Sequence, residues 1–419
     1  MSDSILQRRG DSHEIRDRPW SGTGRRPLIA LVAPAGSYRT ADFITAAVAL
    51  RVDVIVASDG RLPFGDLGTS RSVGIDCTRP EWSAARIAGL DLKPDAVIGV
   101  DDAAVVIASH ASTLLGHSSN PPAAVMATRD KARMRGLLAG GRVPQPAYLV
   151  AAVGEVPAAA AAIGFPVVVK PRGLSASVGV IRVDDEVGAR AVETRIRSIV
   201  AAVTGDSGAS LLVEAFVPGA EVAVEGMLVD GDFSVLALLD KPDPLDGPFF
   251  EETLFVTPSR HPSHVRMDVV RIVGDAVAAL GLVSGPIHAE VRIGPAGVTI
   301  IEVAARSIGG LCGRALTFGL LRESLESLII RSALGLPGSG AWSEAFAAGA
   351  MIVPIPRAGR LMAVEGVSEA LDVPGIIGFE QTIPVGRRLV PLPEGDRYLG
   401  FLLSEAGSPD AVEDSLRSA

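Results

Sequence analysis

Aromatic side chains are scarce in this 419-residue chain, at 4% of the sequence. Gly and Ala are instead abundant between short Val/Ile/Leu runs, a pattern that argues for α/β layers over an all-β sandwich. Cysteine is scarcer still. Cys77 and Cys312 stand far apart with no CxxC or Cys/His spacing, which speaks against a disulfide framework or a structural zinc site and leaves two buried, reduced thiols as the expectation. Basic clusters interleaved with aromatics are absent and the formal net charge is -9, so a nucleic-acid partner is disfavoured. No GxxxxGK[ST] occurs, which excludes a Walker-type phosphate site, and the first turn, Pro34-Ala35-Gly36-Ser37, lacks the GxGxxG of a dinucleotide fold. Long apolar runs are missing too. The stretch 95–115 carries Asp101, Asp102 and His110, and the Arg-rich residues 1–27 have no signal-peptide core, so we expect a disordered tail on a soluble, cytoplasmic protein without membrane contact.

What is present begins with alternation. At roughly 100 to 200 residues per domain, the length suggests about three domains. Apolar runs at 28–33, 52–57 and 96–100 alternate with helical patterns and predict buried parallel strands of a small doubly wound sheet. A helical pattern from about Asp130 stops at Gly140-Gly141, ahead of Pro144 and Pro146, and marks the first boundary. Strands should dominate 147–256, notably at 166–170, 178–183, 211–216, 221–229 and 233–239, joined by Gly/Ser-bearing connections that suit antiparallel pairing. A helix at 265–280, a strand pair across 287–303 and a helix at 312–334 follow.

Only four of the 39 basic residues are lysine: Lys93, Lys131, Lys170 and Lys241. Where the chain merely needs positive charge it uses arginine, and a compact ammonium suits a site shaped for a single phosphate oxygen. Lys170 ends a Val-rich strand and enters Pro171-Arg172-Gly173-Leu174-Ser175-Ala176-Ser177-Val178-Gly179. Such a loop can turn several backbone N–H groups toward phosphate oxygens or close as a lid, and an ordinary hairpin loop accounts for it equally well.

Pro295-Ala296-Gly297 suits a three-residue hairpin loop, which pairs Gly294 with Val298 and therefore Glu290 with Glu302. Direct cross-strand partners lie about 4.5–5.5 Å apart at Cβ. Two carboxylates so placed repel each other, which fits either a solvated edge hairpin or a site for a hard divalent cation. A four-residue loop would shift the register and send them to opposite faces. Beyond the second strand, Arg306 precedes Ser307-Ile308-Gly309-Gly310.

Taken in order, these pieces resemble the ATP-grasp superfamily over most of the chain from 28 to about 403. Asp130-Lys131, 166–170 with its loop, Leu212 to Gly219 with Glu221, His288-Ala289-Glu290, and Glu302 to Arg306 carry the resemblance. Within it, the two glutamate segments are similar to those of bacterial L-amino acid ligases that make dipeptides. Ala304 stands where many other members place Asn, which weakens an assignment to carbamoyl-phosphate or biotin-carboxylase chemistry.

The resemblance implies an N-terminal doubly wound α/β domain (28–125), a small lobe with a helical linker (126–215), a large lobe (216–340) and its C-terminal part (341–419), the last two lobes being α+β and clasping ATP. It implies ATP phosphates on Lys131 and Lys170 under a loop containing Ser175, Ser177 and Gly179. Backbone groups of Glu214, Ala215, Phe216 and Val217 would meet adenine, and Glu221 the ribose. Glu290 and Glu302 would hold Mg2+, with Mn2+ as a substitute. Lys170 and Arg306 would act in catalysis, and Glu251, His288, Arg306, Gly309 and Gly310 would lie near substrate. The activity implied is an ADP-forming ligation of a carboxylate to an amine through an acyl-phosphate, with amino acids favoured and a homodimer as the default assembly. A ligase for other acids or amines, and a nucleotide-binding regulator without turnover, are the alternatives. Lys241 is read as a lid or nucleotide residue, with solvent exposure as the default.

Overall fold

A computed structural model describes residues 25–60, 71–319, 321, 323–337 and 346–419. The expected tail lies outside these residues except for 25–27, as does the boundary expected at 340. Arg25 is held by Asp95 at 2.8 Å.

The N-terminal sheet is parallel throughout, in the order Arg71–Gly74, Asp53–Ser58, Leu28–Val32, Ala96–Gly99. Strand periodicity sends Ile29 and Leu31 to one face, against Phe43 of the helix Thr40–Ala49. Ala30 and Val32 go to the other, against Ile87 and Ile107 of the helices Pro80–Ala88 and Asp102–Leu115. The sheet is therefore covered on both sides, as the near-continuous apolar runs predict. Its edge strand at 71–74 was not anticipated. At the end of Ala96–Gly99, a Cβ on Gly99 would stand 2.5 Å from the Val105 nitrogen. Glycine there lets the next helix start directly off the strand, which leaves Asp101 and Asp102 at the carboxyl edge of the sheet, where open α/β sheets bind ligands.

A second, antiparallel sheet follows in the order Tyr148–Ala151, Leu211–Ala215, Val167–Pro171, Ile181–Val183. The expected strand at 178–183 is only three residues long, and two helices, Val156–Ile163 and Glu186–Thr204, pack on this sheet in a stretch where strands were expected to dominate. The longer one had legible ends. The Asp185 carboxylate accepts from Gly188 N at 2.7 Å and Gly205 closes the helix at φ +78°.

The third sheet has eight antiparallel strands in the order Gly297–Ala304, Gly285–Gly294, Ala220–Val229, Asp232–Lys241, Leu254–Thr257, Ala347–Val353, Gly400–Ala406, Ile376–Gln381. One face buries Val269, Val273, Ala276 and Val277 of the helix Ser263–Leu280, each such side chain contributing on the order of 1–3 kcal/mol. The helix expected at 312–334 is two, Arg314–Gly319 and Leu325–Ala333. Among the described residues no helix is long and apolar enough to cross a membrane.

The strand pair that ends in Glu302 reaches its register by an unexpected route. Gly294 pairs with Gly297 rather than Val298, which would place Glu290 opposite Ile301. A bulge between Glu290 and Val291 on one strand and Ile300 and Glu302 on the other restores the pairing of Glu290 with Glu302. The bulge is pinned by the fully buried Arg135, whose Nη2 donates to Ile301 O at 2.7 Å and Nη1 to Ile300 O at 3.3 Å.

Candidate active site

The three sheets meet around one cavity of about 450 Å³, within the range of roughly 300–1,000 Å³ usual for small-molecule sites. Lys170 sits at the end of the central strand of the small sheet, and its Nζ meets Glu214 Oε2 at 2.6 Å. Glu214 also accepts from Arg135 Nε at 2.6 Å. Burial alone would raise the Glu214 carboxyl, but Arg135 and Lys170 outweigh it and hold the group at about 2. For Lys170, burial together with Arg135 and Lys131 lowers its pKa despite Glu214.

Because the Glu214 pKa is depressed in the folded chain, its contribution to stability is fully present above the unfolded value near 4.5 and is lost as pH falls through about 2. That contribution is about 3 kcal/mol. Urea titrations between pH 7 and 2 should find Glu214→Gln less stable by about that amount at neutral pH, with a flatter acid limb.

Lys131 opens the helix Lys131–Gly140, capped by Asp130. Its Nζ donates to Leu174 O at 2.8 Å and lies 3.1 Å from Glu302 Oε1. The loop after Lys170 is thus tied through Lys131 to Glu302, on the second strand of the Glu290/Glu302 hairpin. In that loop Ala176 and Ser177 both adopt φ near +55° (φ 54 and 55), a strained conformation for residues with a Cβ. Ser175, Ala176 and Ser177 line the cavity, as do Ala215, Phe216, Val217 and Glu221 on the connection to the large sheet. Gly179 does not: its N–H is donated to Pro393 O at 2.9 Å and is not offered to a ligand.

Glu290 and Glu302, with side chains 20% and 25% exposed, open onto the same cavity. Glu290 Oε1 accepts from Lys241 Nζ at 2.9 Å. Lys241 departs from the default of solvent exposure. It is 6% exposed, and its ammonium also bonds Glu221 at 2.8 Å and Glu252. Burial would lower its pKa, but these three carboxylates raise it well above the ordinary value. Oxygens of Glu221, Glu252 and Glu290 lie within 4.8 Å of one another. Glu252, buried and beside Glu290, is pushed up to about 7, whereas Glu290 is held low by Lys241 and His288 against the effect of burial. Arg292, which sequence reasoning passed over, clamps Glu221 Oε2 at 2.9 Å and Val217 O at 2.8 Å.

Glu252, not Glu251, faces the cavity. Phe250 and Glu252 line it, while the Glu251 carboxyl bonds the Ile355 backbone and does not reach the cavity wall. His288 does line it, with Nδ1 2.5 Å from Glu225 Oε1 and Nε2 3.6 Å from Glu290 Oε1. Burial disfavours the imidazolium, yet Glu225 and Glu290 raise the pKa to about 9, so the ring is a cation at neutral pH. The other Glu225 oxygen accepts from Ile308 N at 2.9 Å, fixing the segment that leads to Gly309 and Gly310 on the cavity wall. Gly310 has φ +61°, and a Cβ there would stand 2.7 Å from the Phe401 ring.

Arg306 reaches across to the N-terminal domain. Its Nε and Nη2 donate to the two oxygens of Asp102 at 2.9 and 3.2 Å, and Asp102 also meets Arg129 at 3.2 Å. Arg129 in turn donates to Ser175 Oγ at 3.1 Å. Asp102 therefore couples the loop over the cavity to Arg306. Burial works against its charge, but the two guanidiniums hold its carboxyl far below the carboxylate range. Asp102→Asn should cost about 1–3 kcal/mol by leaving the half-buried guanidiniums of Arg129 and Arg306 underpaired. Thermal unfolding measures this directly.

The ATP-grasp domain family matches residues 163–315, and L-amino acid ligase C-terminal domain 2 matches 351–419. Residues 163–315 belong to the ATP-grasp domain family. The sheets are those expected of the fold, and the second match accords with the dipeptide-ligase resemblance. The solved L-amino acid ligase from Bacillus licheniformis superposes on this chain with a TM-score of 0.79 at 24% identity, covering 94% of this chain and 97% of that one. The biotin carboxylase domain of Hydrogenobacter thermophilus 2-oxoglutarate carboxylase, solved with MgADP, ADP and bicarbonate, gives a TM-score of 0.67 at 16% identity, covering 93% and 89%. Carnosine synthase 1 of Gallus gallus is 30% identical over 261 residues, 59% of this chain and 28% of that relative. The chain therefore covers well under two thirds of that relative's length.

Proposed function

We propose that this protein is an ATP- and Mg2+-dependent ligase that joins the carboxylate of an amino acid to an amine, releasing ADP and phosphate. The observation that carries the reading is the convergence of Lys131, Lys170, Arg306 and the paired Glu290 and Glu302 on one cavity. A phosphate-binding regulator needs the lysines but has no use for Arg306 on the same wall. The paired carboxylates fit a hard divalent cation, whose charge would offset their repulsion and polarise phosphate oxygens. Lys131 and Lys170 would bind phosphate oxygens and spread the charge that develops during transfer.

In the reaction so read, a carboxylate oxygen attacks the γ-phosphorus and the bond to the β–γ bridging oxygen breaks, giving an acyl-phosphate and ADP. The amine nitrogen then attacks the acyl carbon, phosphate leaves with the C–O electron pair, and the nitrogen loses a proton. Arg306 would face the oxyanion formed in that second step, held in place by Asp102. The loop 172–180 would keep water from the acyl-phosphate.

The test is ADP release that depends on added amino acids, with a new amide mass in the products. ATP binding without ADP formation in any mixture of acids and amines would overturn the proposal in favour of a nucleotide-binding regulator.

A further inference from the structure

Three of the segments that line the cavity lie far apart in sequence. The small lobe contributes Ser175 and Ser177, the connection ahead of Leu254–Thr257 contributes Phe250 and Glu252, and a C-terminal turn contributes Asp396 and Tyr398. One side chain outside the cavity joins all three. Arg195, on the small-lobe helix Glu186–Thr204, donates from Nε and Nη2 to the two oxygens of Glu394 at 2.7 and 3.1 Å. The same guanidinium lies over the Phe249 ring, 5.0 Å from its centroid. Phe249 in turn packs on the small-lobe core and bridges to Ile181.

The C-terminal turn is held at both ends. Gly395 N donates to Pro391 O at 2.9 Å, and a Cβ on Gly395 would stand 1.9 Å from Val390 O, so the chain can double back only at a glycine. Beyond it, Leu399 N donates to Val353 O at 3.0 Å and the Tyr398 ring packs edge-on against Phe401 at 5.9 Å, fixing this end to the eight-stranded sheet. Toward the small lobe, Glu394 meets Arg195 and Pro393 O accepts from Gly179 N at 2.9 Å. Gly179 lies near the end of the loop 172–180, whose beginning is held by Lys131 through Leu174 O and by Arg129 through Ser175. The loop is therefore fastened at its start by the helical linker and at its end by the C-terminal turn.

We infer that Arg195 and Glu394 are positioning residues whose ion pair straps the loop 172–180 over the cavity and keeps water from the acyl-phosphate until the amine attacks. This rests on the ligase reading above. Water reaching the acyl carbon would expel phosphate with the C–O electron pair and, after losing a proton, return the free acid. ATP would then be consumed with no amide formed. The pair also suits a contact that must release to admit substrates: its side chains are 45% and 40% exposed, and an exposed ion pair is weak and screened by salt.

The full-length protein is assayed for ADP and for amide mass with ATP, Mg2+ and pairs of proteinogenic L-amino acids. Arg195→Gln and Glu394→Gln should each lower the amide formed per ADP by up to about fivefold, the range of an exposed ion pair, and leave the KM for ATP unchanged. Exchanging the charges, Arg195→Glu with Glu394→Arg, should recover part of the ratio. Added salt should lower the ratio in wild type and leave both single variants unaffected. Arg190→Gln, which breaks the exposed pair with Glu186 on the same helix, is the control and should keep the wild-type ratio. Independently of turnover, hydrogen exchange in peptides spanning 172–180 should be faster in both single variants. A wild-type ratio in both, or an equal loss in Arg190→Gln, overturns the assignment while leaving the ligase intact. No amide from wild type with any pair removes the ligase reading and the coupling role with it, whereas unchanged exchange across 172–180 removes the strap itself.

Discussion

Glu302→Gln should lower turnover by roughly 10³-fold, because a bound divalent cation stabilises a transferring phosphoryl group by several kcal/mol and each 1.36 kcal/mol is tenfold in rate. The substitution removes one of two paired carboxylates and also the anion 3.1 Å from the buried Lys131 ammonium. These two losses separate experimentally. If the cation is what matters, raising Mg2+ should recover part of the rate, and Glu302→Asp, which keeps the charge on a shorter stem, should fall between the two. If Glu302 served only to neutralise Lys131, the rate would not respond to Mg2+ concentration. Turnover at the wild-type level in Glu302→Gln would end the metal assignment. Fold integrity can be followed by thermal unfolding, since Glu302 is a quarter exposed and carries no backbone contact that Gln would lose.

The alternation of apolar runs and helical patterns was enough to read the parallel N-terminal sheet, because strands buried on both faces leave a continuous signal in one short segment. The helices Val156–Ile163 and Glu186–Thr204 were missed for the opposite reason. The first is an Ala-rich run with little contrast between its faces, and the second hides its buried stripe of Ala189, Ile196, Ile199 and Val200 among charged residues. The pairing of Glu290 with Glu302 was read correctly from an incorrect loop. A turn one residue tighter and a bulge one residue wider cancel, and the bulge depends on Arg135, more than 160 positions away from the carbonyls it holds.

That dependence on distant partners also explains most of what was not legible in the cavity. The scarcity of lysine did carry information: Lys131, Lys170 and Lys241 are all buried at 4–6% exposure, while Lys93 simply caps a helix end through Ala88 O. It could not say that Lys241 is enclosed by Glu221, Glu252 and Glu290, which lie 11 to 49 positions away. Nor could local pattern pair Arg306 with Asp102 across 204 positions. The one available signal was Asp101-Asp102 at the end of a predicted parallel strand, the edge at which such sheets place ligands.

Arg306→Lys should lower kcat by about 10²- to 10³-fold, the usual effect of removing a donor aimed at developing charge, while changing the KM for ATP little. Charge is conserved in this variant, so the loss would report geometry. In the folded chain all three guanidinium nitrogens are engaged, two with Asp102 and Nη1 with Ser307 O at 3.0 Å. An ammonium cannot hold both Asp102 oxygens in parallel and also keep a donor in a fixed direction. Asp102→Asn should reproduce part of the kcat loss without touching substrate, since it frees Arg306 to rotate. Combining the two substitutions should then cost less than the product of their separate effects, because they act through one unit. Strictly multiplicative losses in this double-mutant cycle would show that Asp102 acts independently of Arg306. An Arg306→Lys enzyme with unchanged kcat and a raised KM for the acid would place Arg306 in ground-state substrate binding instead of transition-state stabilisation.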